Sequence, residues 1–249
     1  MLGKFPFIIL ALLFLTGCNS KHEGEKKTSL ISNLIDISEN EDKGIKEIIA
    51  FYGGECEYGI TNKVFTDSKN QTNFWLKFGK SEEIDSLATK AELPGSNIAY
   101  IFYKNLDAEK NKYSQIETEL LFQNGGNMKF SYSISQLEKV KNKFILANKI
   151  VSILKNKDFE TLKTYFKIDT SLFNFGLEEA MSDLKKAENT FGKIVRFVPY
   201  GFSFEKTYGT KEILHLSGAI IRDTKSNYFS INVDPDLLED KIYTINYNL

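Results

Sequence analysis

Hydrophobic residues change their spacing repeatedly along this chain, and these changes limit the folds that it can adopt. In residues 41–52 they recur every three or four positions, which predicts an amphipathic helix that ends at Gly53 and Gly54. In residues 57–78 they alternate, which predicts strands. Helical and alternating patterns follow one another to the end of the chain, so the sequence predicts an α+β protein.

A proline and a glycine interrupt the next helical pattern. Residues 82–92 have helical spacing, and we expect Pro94 and Gly95 to end this helix. The hydroxyl of Ser96 can accept a hydrogen bond from the first turn of a third helix, which runs to about Leu106. The sequence thus predicts two separate helices on either side of this pair.

A hairpin and a long helix follow. The alternating runs 115–122 and 128–134 flank an Asn-Gly pair at 124–125 that tolerates positive φ, so we expect a tight hairpin. Ser135 and Glu138 then have the spacing of a capping box, which predicts the start of a long helix. We place a domain boundary here.

The C-terminal half has the pattern of three helices followed by four strands. Its segments 150–154, 156–160 and 191–194 resemble the cystatin-like or nuclear-transport-factor-2-like fold in the order of helices and strands and in local sequence. That resemblance implies a curved sheet wrapped around helices, with a cavity that serves catalysis, ligand binding or dimerisation in different members. It therefore implies a fold and not a function. The strands are expected at about 193–204, 211–222, 227–233 and 241–247.

Two domains follow from these patterns. Residues 30–135 are expected to form an N-terminal α/β domain, and residues 136–249 a cystatin-like α+β domain. We expect helices packed on a mainly antiparallel sheet in each of them.

The N-terminus carries a different signal. Lys4 precedes a charge-free apolar run, residues 5–15, that is shorter than the roughly 20 residues of a spanning helix. The run closes with Leu-Thr-Gly-Cys at 15–18, which resembles the lipobox of bacterial lipoproteins. The resemblance implies a signal peptide over residues 1–17 and lipidation of Cys18. An ordinary secretory signal and a buried first helix are the alternatives.

The resemblance also implies a location. Residues 18–29 are polar throughout and predict a flexible tether between the lipid and the folded part. We expect a protein held to a membrane of the cell envelope by the lipid on Cys18. Asn19 is not the aspartate that retains one group of lipoproteins at the inner membrane, which favours an outer membrane where the organism has one.

Charge and cysteine content narrow the function. The formal net charge is −1, which argues against a nucleic-acid partner, because such domains are usually strongly basic. Cys56 loses its only intrachain disulfide partner if Cys18 is lipidated, so we expect a buried, inert thiol. Glu55 and Glu57 should raise the pKa of this thiol. An intermolecular disulfide or a reactive thiol is the alternative.

Few residues in the chain are candidates for chemistry. His215 is the single histidine outside the tether, and we expect a structural role or, beside a carboxylate, a cavity acid or base. Trp75 and Tyr200 belong to strand cores or to an exposed platform for a sugar, a peptide or a hydrophobic ligand. We expect no metal and no cofactor. The acidic residues that could suggest Ca²⁺ lack EF-hand spacing and predict a solvated turn: Asp234, Asp236, Glu239 and Asp240.

Three functional hypotheses remain open at this point. The leading one is a lipid-anchored, non-enzymatic binding or assembly module whose partner is a protein or a small hydrophobic ligand. The second is an isomerase or hydrolase that uses a cavity of the C-terminal domain through His215. The third is a protective or inhibitory factor against a secreted effector. The sequence alone does not define the oligomeric state.

Lipidation can be tested directly. We expect Cys18→Ala to abolish labelling by a clickable fatty acid and to release the protein from membranes, because the diacylated sulfur supplies the anchor. The measurement is in-gel fluorescence together with membrane fractionation, and Cys56→Ala serves as the control that keeps both properties. Unchanged membrane retention of the Cys18→Ala variant would disprove the anchor.

Overall fold

The computed structural model describes five stretches of the chain, residues 36–63, 70–168, 176–206, 211–236 and 238–248. The predicted signal peptide, Cys18, the tether and part of the predicted connection between the first two strands lie outside them. Among the described residues, none of the helices combines the length and the apolar content that crossing a membrane requires.

The described chain is α+β, as the sequence predicts, with two four-stranded sheets and six α-helices. The helices are α1 Glu39–Tyr52, α2 Glu82–Ser86, α3 Glu92–Asn105, α4 Ile134–Lys155, α5 Phe159–Lys163 and α6 Leu177–Thr190. The strands are β1 Glu55–Lys63, β2 Gln71–Gly79, β3 Gln115–Leu121, β4 Asn127–Ser133, β5 Ile194–Lys206, β6 Glu212–Arg222, β7 Asn227–Val233 and β8 Thr244–Asn248.

The first sheet contains the one parallel pair of strands in the described structure. Its order is β1-β2-β3-β4, and β2 pairs in parallel with β3 while the outer pairs are antiparallel. Parallel neighbours need a crossover connection, which α2 and α3 provide. Alternation along β2 and β3 then buries one face, where Phe74, Leu76, Phe78, Ile116 and Leu120 have no exposed surface.

Helix α3 corrects the expected break at Pro94 and Gly95. The helix begins at Glu92 and runs through both residues. Proline is tolerated there because the first-turn amides of a helix have no intrahelical acceptor. Ser96 is consequently not a cap. Its hydroxyl donates to the Leu93 carbonyl at 3.0 Å and accepts from the Phe202 amide of β5 at 2.8 Å. The expected helix over 82–92 is reduced to α2 and a short 3₁₀ turn.

The capping box of α4 also differs from the expected one. Ser133, not Ser135, accepts from the Gln136 amide at 3.1 Å, and the Gln136 side chain accepts from the Ser133 amide at 2.9 Å. Both serines fit the sequence motif. Glu138 is engaged elsewhere, because it accepts hydrogen bonds from Tyr103 and Lys110, which hold the pKa of its carboxyl below the usual value.

The second sheet is an antiparallel meander in the order β5-β6-β7-β8. One face packs against α4, and buried hydrophobic residues from both sheets belong to one continuous hydrophobic cluster. Aromatic contacts join the two halves: the rings of Tyr132 and Phe202 lie 5.1 Å apart, and those of Tyr100 and Phe144 lie 4.6 Å apart.

A buried ion pair attaches α6 to the second sheet. The side chains of Arg222 and Glu188 are 0% and 3% exposed, and the guanidinium donates to both carboxylate oxygens. It also donates to the Asn227 side chain, the Gly192 carbonyl and Tyr247, and the Tyr247 hydroxyl donates to Glu188. Because every charged atom has partners, the pair can remain ionised away from water.

Removal of one partner should therefore be costly. We expect Glu188→Ala to lower the free energy of unfolding by about 3–5 kcal/mol, since it leaves the guanidinium buried and uncompensated. Denaturant unfolding followed by circular dichroism measures this change. Lys186→Ala is the control, because its pair with Asp183 is exposed and worth at most about 1 kcal/mol. Equal losses in the two variants would contradict the assigned role of the buried pair.

Candidate functional site

The outward face of the first sheet carries the chain's one tryptophan. Alternation along β2 turns Phe74 inward and Trp75 outward. Strand register places Gly59, Trp75, Glu117 and Ser131 in one row across the four strands. Trp75 thus lies near the middle of the face, half-buried, between a residue without a side chain and a carboxylate.

The indole occupies the space above Gly59. A Cβ at position 59 would come within 2.5 Å of the Trp75 Cζ2 atom and 2.8 Å of Nε1. No other residue type leaves room for the ring in this position. The glycine therefore sets the orientation of the tryptophan.

Glu117, the neighbour of Trp75 on the other side, is held in place by two donors. The Asn73 amide donates to Oε1 at 2.6 Å, and the Lys63 ammonium donates to the same oxygen at 3.2 Å. Asn73 is fully buried, so it cannot turn away into solvent. Within the described part of the chain, the second oxygen of Glu117 accepts no hydrogen bond, and it remains available to a ligand.

A row of alternating charges borders the tryptophan. Glu57, Lys77, Glu119 and Lys129 face one another in register, with ion-pair distances of 3.5 Å between the first two and 3.4 Å between the last two. Together with Trp75 and Glu117, these side chains line a groove of about 510 Å³. The pairs are partly exposed, so they contribute little to stability but hold donors and acceptors at defined positions.

His215 lies on the face of the second sheet that points away from the α4 side. It alternates with the core residues Leu214 and Leu216, and its ring nitrogens bond to the Asn232 side chain at 2.8 Å and, more weakly, to the Tyr228 hydroxyl at 3.4 Å. Both partners are neutral. The enzyme hypothesis required His215 inside a cavity between sheet and helices, and the histidine is not there.

Glu92 nevertheless stands in the electrostatic neighbourhood of both His215 and Glu205. Burial and the negative charge of Glu205 raise the pKa of Glu92, and the charge of His215 opposes that rise. No hydrogen bond joins His215 to either carboxylate among the described residues. The sequence did not identify Glu92 and Glu205 as neighbours of His215, because three separate elements bring these residues together.

Tyr200 is 40% exposed at an irregularity in β5. The register of β5 with β6 shifts between Pro199 and Gly201, which leaves Tyr200 without a partner residue across the strands. The adjacent Pro199 lines a smaller groove of about 250 Å³, together with Phe51 and Tyr100.

Asp236, Glu239 and Asp240 of the acidic turn are exposed to solvent, as the sequence predicts, and the aspartates of the turn also form ion pairs. Asp236 pairs with Lys139 of α4, Asp240 pairs with Lys149 at 2.9 Å, and Asp234 lies 3.3 Å from Lys211. The described residues contain no group of three or more His, Cys, Asp or Glu side chains placed to share a metal ion. Lys139 and Lys149 thus connect the turn to helix α4.

Cys56 is a half-buried free thiol. Burial, together with the neighbouring charge of Glu57, raises its pKa to about 12. At neutral pH the thiol therefore keeps its proton, and its nucleophilicity is low.

A larger, lysine-lined groove of about 690 Å³ lies beside the C-terminus of α4 and the start of β5. Lys155 ends α4, where its charge complements the helix C-terminus. Lys157 donates to the Asn189 side chain, and the Lys193 amide donates to Asp223. Structural roles account for these contacts, so the tryptophan groove is the better candidate.

Comparisons with family models, with curated proteins and with solved structures found no match for this chain. The argument about function therefore depends on the residues of the chain itself.

The contact between Gly59 and Trp75 can be tested with one methyl group. We expect Gly59→Ala to push the indole off strand β1 and to shift its emission to longer wavelength, because the ring becomes more exposed to water. Fluorescence of the single tryptophan measures the shift. Gly176→Ala is the matched control, since a Cβ there makes no contact under 3.5 Å. An unchanged emission spectrum in Gly59→Ala would contradict the packing.

Proposed function

We propose that this chain is a lipid-anchored cell-envelope protein whose folded part binds a ligand at the tryptophan groove and performs no catalysis. The anchor is supported by the Leu-Thr-Gly-Cys sequence at 15–18 behind a short apolar run. The polar segment 18–29 separates that anchor from the folded part. An outer membrane is the favoured location where the organism has one.

One observation carries the binding role. Trp75 is half-buried in a groove, packed against Gly59 and next to Glu117, whose position is set by a buried amide. Functional sites need such support, because side chains left to move freely do not define a binding geometry. A tryptophan that served only the core would be expected on the opposite face of β2.

The surroundings of His215 support binding over the cavity enzyme. Its ring is engaged by two neutral side chains on the sheet face that points away from the α4 side. A general base needs a ring nitrogen within reach of a substrate and a group that orients the ring for proton transfer. The neutral contacts orient the ring, but His215 lines none of the three grooves described above.

The proposal also includes the organisation of the chain. We assign residues 136–249 to a cystatin-like domain, supported by three helices followed by an antiparallel meander that packs on α4. Residues 30–135 form the other proposed domain, and each has its own sheet. The shared hydrophobic cluster indicates that the two would unfold together.

The ligand-binding role can be tested with a single fluorine label. Because the chain has one tryptophan, incorporation of 5-fluorotryptophan gives one ¹⁹F resonance that reports on the groove. We expect soluble fractions of disrupted envelope to shift or broaden this resonance in a saturable and reversible way. The reason is that a ligand on the indole changes the surroundings of the fluorine atom.

The control is the same label in the Glu117→Gln/Lys77→Ala variant, which keeps the indole and its seat on Gly59 but alters the polar rim. We expect this variant to respond less than the parent chain. A resonance that stays unchanged with every fraction would refute binding at the groove. Turnover of a fraction, seen as loss of the effect with time and release of a new product, would favour an enzyme.

A further inference from the structure

We propose that the ligand of the tryptophan groove is a neutral oligosaccharide, an inference that rests on the proposed binding function. Four properties of the groove support this ligand class: the aromatic seat, the polar atoms beside it, the balance of charge and the position of the groove within the sheet.

The aromatic seat matches the chemistry of a sugar ring. One side of a pyranose carries C–H groups that pack against an aromatic surface, while its hydroxyls need hydrogen-bond partners at the rim. Trp75 provides an amphipathic ring with an N–H group that donates no hydrogen bond to the protein within the described residues. Because the indole packs closely on Gly59, its orientation is fixed before a ligand binds, which lowers the entropic cost of binding.

The carboxylate of Glu117 provides a positioned acceptor next to this seat. Asn73 and Lys63 donate to one of its oxygens, and the other can accept from a sugar hydroxyl. Asn73 is fully buried, and its own Oδ1 has no hydrogen-bond partner in the described part of the chain. A buried polar atom without a partner is destabilising, so it calls for an explanation, and holding Glu117 in place supplies one.

The charges on this face cancel. Three carboxylates, from Glu57, Glu117 and Glu119, are paired with three ammonium groups, from Lys63, Lys77 and Lys129. A strongly charged polymer would find as many repulsive as attractive partners. A neutral polyol, in contrast, can donate to the carboxylates and accept from the ammonium groups.

The position of the groove argues against an extended peptide. Peptides that add to a sheet pair with the backbone of an edge strand. Trp75 and Glu117 belong to the two central strands, β2 and β3, which have strand neighbours on both sides. The row from Trp75 to Ser131 crosses two strand spacings, about 10 Å, which accommodates about two sugar rings.

The test uses the purified full chain in a non-glycosidic detergent. Emission of the single tryptophan is followed during titration with three neutral tetrasaccharides: cellotetraose, maltotetraose and the β-1,4-linked tetramer of N-acetylglucosamine. We expect a saturable change with at least one of them, with a Kd of about 1 mM or tighter. Heparin fragments and poly-lysine of similar length are the charged probes, and we expect them to bind more weakly.

Two variants locate the binding. Glu117→Gln keeps the fluorophore and should weaken binding about 10-fold, because a charge-assisted hydrogen bond becomes a neutral one. Trp75→Ala, followed by calorimetry, should weaken it by at least about 10-fold. Tyr200→Ala removes an exposed aromatic side chain that does not line the tryptophan groove, so this control variant should bind normally. Thermal unfolding verifies that each variant is folded.

The outcomes separate this inference from the proposed function. If no tetrasaccharide binds while the ¹⁹F resonance still responds to envelope fractions, the ligand is not a neutral saccharide but the binding function stands. If neither assay responds, both are wrong. Tighter binding of a charged probe, or binding that survives both Trp75→Ala and Glu117→Gln, overturns the assignment.

Discussion

The close approach of helix α3 to both sheets is the constraint on which the rest of the fold depends. Glycines permit the approach: a Cβ at Gly95 would come within 2.4 Å of the Phe130 ring, and one at Gly201 within 2.2 Å of the Leu93 carbonyl. Gly201 also has φ +143°, which other residues rarely adopt. Ser96 completes this contact between α3 and the second sheet. Its hydroxyl accepts a hydrogen bond from the Phe202 amide, which would otherwise be buried without an acceptor.

The close packing of α3 against both sheets has a direct consequence for the surface of the first sheet. Because α3 covers the inner face of the first sheet, that face carries the apolar residues, and the other face is left to solvent. The outward face can then hold Trp75, Glu117 and paired charges without loss of core packing. The proposed site therefore lies opposite the core on central strands, which hold their side chains more firmly than loops do. At the second sheet, the buried Arg222–Glu188 ion pair fixes helix α6 against the strands.

Local patterns in the sequence predicted much of the secondary structure, and their failures share one cause. Alternation predicted the strands, and the Asn-Gly pair at 124–125 predicted the hairpin between β3 and β4, where Gly125 has φ +83°. Pro94 was wrongly expected to end a helix because a proline in a first turn looks the same in sequence as one in a break. Ser135 and Ser133 both fit a capping box. Glu138 is drawn into a tertiary contact with Lys110 and does not cap the helix with Ser135, so Ser133 forms the box with Gln136. Contacts that decide between such alternatives are distant in sequence.

The sequence by itself determined which side chains point to each face of a strand, because alternation is a local property of the extended backbone. It also identified Trp75 as a candidate and the residues 15–18 as the expected anchor. Only the tertiary structure decided that β2 pairs in parallel with β3, and this register brings Asn73, Trp75 and Glu117 together. Strand pairing depends on contacts between residues about 40 positions apart in the chain, and no local pattern specifies it.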